Sequence, residues 1–155
     1  MSLPSRRLLI GSAAALALAG SARAQTRGSR QLAVYKSPTC GCCEGWVAHM
    51  RQAGFTAAVH VVEDPGTVRR ARGVPAALAS CPTAVIGGYA IEGHVPADDV
   101  TRLLAERPEA VGLAVPGMPM GSPGMVARGG RRQPFDTLLV LRGGQTRVWG
   151  RHNRA

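Results

Sequence analysis

The sequence predicts a mixed α/β domain in which two parallel strands, joined by a helical crossover, are followed by a β-hairpin and a covering helix. Two observations predict this class. Segments of strand and helix periodicity follow one another in the order strand, helix, strand, helix, strand, strand, helix. The pair Gly87-Gly88 separates the last two strands and is typical of a tight hairpin turn.

Residues 1–24 are predicted to be a signal peptide that is not part of the fold. Arg6-Arg7 precedes an apolar run at residues 8–19, and small residues lead up to a cleavage position after Ala24. The apolar run is too short for the roughly 20 residues that span a bilayer. We therefore expect no stable membrane insertion once the signal is removed. The paired arginines favour twin-arginine export to the periplasm, with an ordinary secretory signal as the alternative.

The first half of the exported chain reads as strand, helix and strand. After a short flexible N-terminus at residues 25–30, Gln31–Lys36 alternates as a strand does, and a helix is predicted from about Cys42 to Ala53. Residues 57–62 form the next predicted strand. Four apolar residues at helical spacing are predicted to form the buried face of the helix: Cys43, Trp46, Val47 and Met50.

The second half of this domain is predicted to contain a short helix, a hairpin and a longer helix. Asp64-Pro65 is typical of a helix start. The hairpin strands are Thr83–Ile86 and Tyr89–Glu92, and the last helix opens at residue 97. Parallel strands with a crossover, a hairpin and a covering helix form the thioredoxin-like arrangement, βαβαββα. Residues 31–110 are therefore predicted to be a thioredoxin-like domain.

Two further segments follow that domain. Residues 111–126 are rich in Met, Pro and Gly, lack periodicity and are predicted to be a loop. Residues 127–155 are predicted to be a basic C-terminal β-hairpin and tail packed on the same domain, with strands at Phe135–Leu141 and Thr146–Trp149. This end carries seven arginines against Asp136 alone. It has no basic helix or aromatic-lined groove, so we interpret the arginines as solvated and expect no nucleic-acid partner.

Three of the four cysteines lie within four positions, at Cys40, Cys42 and Cys43. A disulfide inside so short a loop removes little entropy from the unfolded chain and therefore stabilises the fold little. A metal-binding or reactive cluster is favoured over a structural disulfide. Cys40 and Cys43 have C-x-x-C spacing at a helix N-terminus, where backbone N–H groups stabilise thiolate. A thiol–disulfide oxidoreductase that uses this pair is the alternative.

The fourth cysteine is predicted to face the other three. Thioredoxin-like folds carry a cis-proline at the entry to the third strand, opposite the cysteine pair, and Cys81-Pro82 occupies that place. Cys81 should therefore point towards Cys40 and its neighbours, or else be a small buried residue. The hairpin also returns His94 to this end of the sheet, as an auxiliary ligand or as an ordinary loop residue.

The choice of metal depends on the loop methionines. Adjacent thiolates favour soft ions, and the thioethers of Met118, Met120 and Met125 bind Cu(I) but have little use for zinc. Copper, as Cu(I), is therefore the predicted ligand, with an iron–sulfur cluster or zinc as lesser alternatives. The loop methionines could instead serve packing. His49 and His60 are interpreted as structural, and His152 as solvent-exposed.

Several segments together resemble one family, the copper-associated thioredoxin-fold proteins of the CopG type, a domain of unknown function. The matching segments are residues 37–43, 93–97 and 112–125, in the same order and with similar spacing. The resemblance implies periplasmic copper handling or resistance, with copper held by Cys40, Cys42, Cys43 and Cys81. It also implies other periplasmic copper-handling proteins as partners.

The sequence departs from the family pattern at two positions. Pro82 stands where the family usually has a histidine after the distal cysteine, and Val126 replaces an acidic residue. Copper binding is expected to survive both changes. Redox conversion of copper, which the family histidine could support, stays an open alternative to simple binding.

Overall fold

Seven strands and three helices make up the mixed α/β structure, a computed structural model that describes residues 30–125 and 128–154. The predicted signal peptide, residues 1–24, and Val126 lie outside the described residues. In chain order the elements are β1 (Gln31–Lys36), α1 (Cys42–Gln52), β2 (Thr56–Val61), α2 (Gly66–Ala71), β3 (Thr83–Ile86), β4 (Tyr89–Glu92), α3 (Ala97–Glu106), β5 (Gly112–Ala114), β6 (Phe135–Val140) and β7 (Thr146–His152).

All seven strands belong to one sheet, in the order β2-β1-β3-β4-β5-β6-β7. The first two strands pair in parallel, as the helical crossover between them requires. The strands β3 and β4 pair antiparallel around Gly87-Gly88, which confirms the predicted hairpin. The element order from β1 to α3 is the predicted one, and the C-terminal end of β1 and the N-terminal end of β3 meet because these two strands are antiparallel neighbours.

The first helix buries the stripe that its periodicity predicted. The buried residues of α1 are Cys43, Trp46, Val47 and Met50, and the last three belong to the hydrophobic core with residues of β1, β3 and β4. Trp46 also donates its indole N–H to the carbonyl of Val95, at 2.8 Å, which satisfies the polar end of a fully buried ring. The sulfur-bearing start of α1 is thereby anchored to the segment between β4 and α3.

The structure differs from the prediction within residues 111–126. Gly112–Ala114 is a buried strand, β5, which pairs in parallel with β4 and antiparallel with β6. A Cβ at Gly112 would overlap the carbonyl of Ala90, so only glycine allows the two strands to come this close. The irregular Met-containing segment therefore begins after Ala114.

The C-terminal hairpin extends the same sheet through β6 and β7. His152, predicted to be solvent-exposed, is instead half-buried. Its Nε2 lies 2.7 Å from a carboxylate oxygen of Asp99 in α3 and 3.1 Å from the hydroxyl of Thr137, and its ring stacks on Phe135. The prediction was wrong because it placed His152 in a tail, whereas β7 continues through this residue. No helix among the described residues has the length and apolar character needed to cross a membrane.

Candidate metal centre

Three of the four cysteines lie where β1 passes into α1. Cys40 ends a tight turn in which its amide donates to the carbonyl of Ser37, at 3.2 Å. Cys42 and Cys43 are the first two residues of α1. The unpaired N–H groups at this end of α1 favour negative charge beside them.

The structure contains a disulfide between Cys40 and Cys43, while Cys42 and Cys81 are free thiols. This differs from the predicted set of four metal-binding thiols, because two of the four sulfurs are bonded to each other. The C-x-x-C spacing alone was compatible with such a pair. Thiolate ligands at Cys40 and Cys43 therefore require prior reduction of this bond.

Cys81 points at this pair from the other side of the site. The Cys81–Pro82 peptide is cis, as predicted, and the sulfur of Cys81 lies 3.1 Å from that of Cys43. The sulfurs of Cys40, Cys43 and Cys81 all lie within 4.8 Å of one another, a group that could hold a metal ion. The predicted convergence of the distal cysteine on the cluster is confirmed.

Cys42 joins the group from its more exposed side. Its sulfur lies 3.6 Å from the sulfur of Cys40, and its thiol donates to the thioether sulfur of Met118, at 3.4 Å. Five sulfur atoms thus form a continuous chain of contacts in the order Cys81, Cys43, Cys40, Cys42, Met118. This series of sulfur atoms leads from the buried Cys43 to the surface at Met118, which is 49% exposed.

The Met-containing segment that supplies Met118 is docked on the site by backbone contacts. Gly124 lies against the first turn of α1, where an added Cβ would come within 2.5 Å of the amide nitrogen of Trp46. Ser80 donates its hydroxyl to the carbonyl of Gly117, at 2.5 Å. At Met120 both backbone groups bond to Gln133. These contacts give the segment a defined conformation despite its lack of regular structure.

Met120 and Met125 contribute to this conformation through their backbones. The carbonyl of Met125 accepts a hydrogen bond from the amide of Gly121, and its own amide donates to the carbonyl of Ser122. Of the three loop methionines, Met118 is the one whose sulfur the structure brings to a cysteine.

His94 is fully buried and does not belong to the group of close cysteine sulfurs. Its Nδ1 lies 3.5 Å from the hydroxyl of Ser122 in the Met-containing segment, and its Nε2 has no hydrogen-bond partner among the described residues. Burial disfavours the charged imidazolium and lowers the pKa of His94 to about 4. At neutral pH the ring is therefore uncharged and able to accept a hydrogen bond or a metal ion.

Two charged residues near the cysteines were missed by the sequence reasoning. Glu92, at the end of β4, is fully buried, and its carboxylate accepts hydrogen bonds from the amide of Ser80, at 2.8 Å, and the hydroxyl of Thr83, at 2.7 Å. It also pairs with Arg69 of α2, at 3.5 Å. Glu92 thus holds the residues on both sides of Cys81–Pro82, and burial raises its pKa.

The second missed residue is Lys36, at the end of β1. Its side chain is 10% exposed and its ammonium lies 2.7 Å from the carboxylate of Glu44 in α1. Burial raises the pKa of the Cys81 thiol, and the positive charge of Lys36 opposes that effect in part. Lys36 occupies an inward position of the β1 alternation, after Leu32 and Val34, and this was the signal in the sequence.

The remaining histidines have structural partners. The Nε2 of His49 accepts the amide of Ala97 at the start of α3, at 3.0 Å, and the ring of His60 stacks on Tyr35. The hydrogen bond of His49 confirms the structural interpretation of that side chain, whereas His60 lies exposed on β2.

Comparison with known proteins finds one family and two solved structures. A family model described as "Protein of unknown function, DUF411" matches residues 78–125, which include Cys81, the hairpin strands and the Met-containing segment. The chain is similar to two structures named "Copper resistance protein copG", Form 1 and Form 2, each with 42% identity and a TM-score of 0.74. The alignments cover 79% of this chain and 96% and 97% of those chains. No curated protein matches the sequence.

Proposed function

Because this chain belongs to the copper-associated DUF411 family, we propose that it is an exported protein of periplasmic copper handling or resistance that binds Cu(I). The ligands we assign are the thiolates of Cys40, Cys42, Cys43 and Cys81. One observation carries the proposal: the four cysteine sulfurs lie in a continuous series of contacts of 3.6 Å or less.

The residues present fit a soft metal ion. Thiolates and thioethers select Cu(I), whereas oxygen ligands suit hard cations, and no carboxylate joins the group of close sulfurs among the described residues. The four-thiolate site exists only in the reduced protein. Reduction of the Cys40–Cys43 disulfide takes two electrons and two protons, and yields two further thiols beside Cys42 and Cys81.

The Met-containing segment and His94 supply auxiliary ligands in this proposal. Met118 is favoured among them, because its sulfur contacts Cys42 and its side chain reaches solvent. A copper ion that arrives at this exposed thioether has a cysteine sulfur 3.4 Å away. Met120, Met125 and His94 are assigned the weaker role of later or partial ligands.

The proposal includes a thioredoxin-like fold, from β1 to α3, and delivery by a twin-arginine signal peptide at residues 1–24. The parallel β1–β2 pair, the β3–β4 hairpin and the cis peptide at Cys81–Pro82 support the thioredoxin-like assignment. Export supports a role beside other periplasmic copper-handling proteins, which would supply or receive the metal.

A Cu(I) titration of the fully reduced protein tests the proposal. With a chromophoric Cu(I) chelator as competitor, the native chain should take up Cu(I) in preference to Zn²⁺. The triple variant with serine at Cys40, Cys42 and Cys43 should lose tight uptake. Ser37→Ala, which changes a nearby residue without removing a sulfur, is the control and should bind as the native chain does. Full loading of the triple variant would refute the proposal.

Thiol–disulfide exchange with a protein substrate is the second candidate, and the Cys40–Cys43 disulfide at the start of α1 favours it. The free thiol of Cys42 argues against it, because a third cysteine within the motif offers a competing partner for mixed disulfides. Reduction of insulin disulfides discriminates between the two candidates. Turnover like that of a dedicated oxidoreductase, unchanged by a Cu(I) chelator, would favour this second function.

A further inference from the structure

Each sulfur of the Cys40–Cys43 disulfide has a free thiol of its own beside it. The sulfur of Cys81 lies 3.1 Å from that of Cys43, and the sulfur of Cys42 lies 3.6 Å from that of Cys40. In thiol–disulfide exchange a thiolate attacks one sulfur of a disulfide and the other sulfur leaves. The arrangement therefore allows exchange within the site, without a second protein.

We propose that the disulfide moves inwards, from Cys40–Cys43 to Cys43–Cys81, and so opens a separate soft-metal site at Cys40, Cys42 and Met118 in a chain that still contains one disulfide. This inference rests on the proposed Cu(I) function and extends it to the oxidised protein.

The exchange step balances without an external oxidant or reductant. The Cys81 thiol loses its proton and its sulfur bonds to Cys43, while the Cys40–Cys43 bond breaks and Cys40 leaves as a thiolate that takes up one proton. The separation of 3.1 Å between the attacking and attacked sulfurs falls within the roughly 3–3.5 Å of a near-attack arrangement. Because the three sulfurs form a compact triangle within 4.8 Å, the Cys81 side chain must rotate to bring them into line.

The competing attack, by Cys42 on Cys40, is disfavoured by its starting contacts. The sulfurs of Cys42 and Cys40 are 3.6 Å apart, and the Cys42 thiol already donates to Met118. Its product would be a Cys40–Cys42 disulfide, with Gly41 alone between the two cysteines. A disulfide that closes so short a loop restricts the unfolded chain little and therefore adds little stability.

Inward movement of the disulfide changes which sulfurs face solvent. Cys43 is fully buried, whereas Cys40 and Cys42 are half-buried and Met118 is 49% exposed. After exchange the buried sulfur remains in a disulfide, and two thiols and a thioether stand together at the surface. This outer set has the soft donors that Cu(I) prefers.

Two of the three sulfur–sulfur distances within this outer set suit a single ion. Two sulfurs bound to one metal ion at about 2.3 Å cannot be more than about 4.6 Å apart. The separations of 3.6 Å between Cys40 and Cys42, and of 3.4 Å between Cys42 and Met118, satisfy this limit. With the disulfide at Cys40–Cys43, only Cys42 and Met118 of this set are available to a metal ion. Binding of Cu(I) should therefore shift the exchange equilibrium towards the Cys43–Cys81 disulfide.

Peptide mapping tests the exchange directly in the native chain. The one-disulfide protein is equilibrated in a glutathione buffer with and without Cu(I), quenched with acid, alkylated and digested with trypsin. Cleavage separates residues 37–51, with three cysteines, from residues 73–102, with Cys81. We expect linked peptides joined through Cys43 and Cys81, in a fraction that rises with Cu(I). Bonds within residues 37–51 alone, with and without Cu(I), would overturn the proposal.

A titration of the one-disulfide protein tests the site that the exchange opens. The native form should bind one Cu(I) per chain. Cys81→Ser cannot receive the disulfide and should bind more than about 100-fold more weakly. Loss of a direct ligand exceeds the roughly 10–100-fold effect of losing a residue that only hydrogen-bonds to a ligand. Cys40→Ser should form Cys43–Cys81 without copper. Equal Cu(I) affinity of native and Cys81→Ser one-disulfide chains would contradict the proposal.

The fully reduced protein separates this result from the broader function. If the reduced native chain fails to bind Cu(I), the proposed function fails, while peptide mapping without copper still decides whether the disulfide moves. If the reduced chain binds Cu(I) and no Cys43–Cys81 bond forms, the proposed function stands and the exchange is refuted.

Discussion

His94 gives a prediction in which a buried side chain links protein stability to pH. The ring is fully buried, its Nε2 has no partner among the described residues, and burial lowers its pKa from 6.5 to about 4. In the unfolded chain the imidazole takes up a proton at its ordinary pKa. Between pH 6.5 and 4 the unfolded state therefore binds more protons than the folded state, and acid favours unfolding.

The magnitude follows from the size of this shift. A pKa difference of one unit corresponds to about 1.4 kcal/mol, so the full effect below pH 4 is about 3 kcal/mol. The stabilisation is complete above pH 6.5 and is lost as the pH falls towards 4. Between pH 7 and pH 5 the expected loss is about 2 kcal/mol in the free energy of unfolding.

Urea denaturation of the metal-free protein at pH 7 and pH 5 measures this loss. His94→Asn cannot be protonated, so its unfolding free energy should fall by about 2 kcal/mol less than that of the native chain over this interval. Comparison of the two chains cancels the titration of the carboxylates they share. Ser122→Ala keeps the buried imidazole and should retain the native pH dependence. An identical pH dependence for the native chain and His94→Asn would refute the reasoning.

Three further predictions concern the supports of the site. Glu92→Gln should lower the unfolding free energy by about 2 kcal/mol and weaken Cu(I) binding, whereas Asp99→Asn, another buried carboxylate, should leave Cu(I) affinity unchanged in the same titration. Gly124→Ala should undock the Met-containing segment and lower the melting temperature more than Gly117→Ala, because both glycines have positive φ but only Gly124 is crowded; equal effects would contradict this. Met118→Leu should cost less than about 1.5 kcal/mol of stability yet slow Cu(I) uptake in stopped-flow measurements.

The sequence was most informative where periodicity and turn chemistry act locally. The alternation of Gln31–Lys36, the apolar stripe that contains Trp46 and the Gly87-Gly88 turn placed β1, α1 and the β3–β4 hairpin within a residue or two. The cis peptide at Cys81–Pro82 was predicted from its place at the entry to β3, and so was the approach of Cys81 to the other cysteines.

What the sequence did not predict depends on contacts between distant segments. The strand β5 has only three residues, too few for a periodic pattern, and exists because Gly112 allows close pairing with β4. The contact of Met118 with Cys42 spans 76 positions and depends on the docking of Gly124 against α1. Four cysteines in a list also do not specify which two are bonded. The sequence shows Glu92 as a single acidic residue in an apolar hairpin. It does not show the hydrogen-bond and ion-pair partners that the carboxylate has in the fold.

X-ray absorption at the copper edge tests the central claim most directly. The reduced protein, loaded with one equivalent of Cu(I), should show the edge of Cu(I) and a first coordination shell of sulfur atoms alone. The variant with serine at Cys40, Cys42 and Cys43 should lose that shell. A first shell made only of nitrogen and oxygen atoms in the native protein, or an unchanged sulfur shell in the variant, would contradict a copper site built from these cysteines.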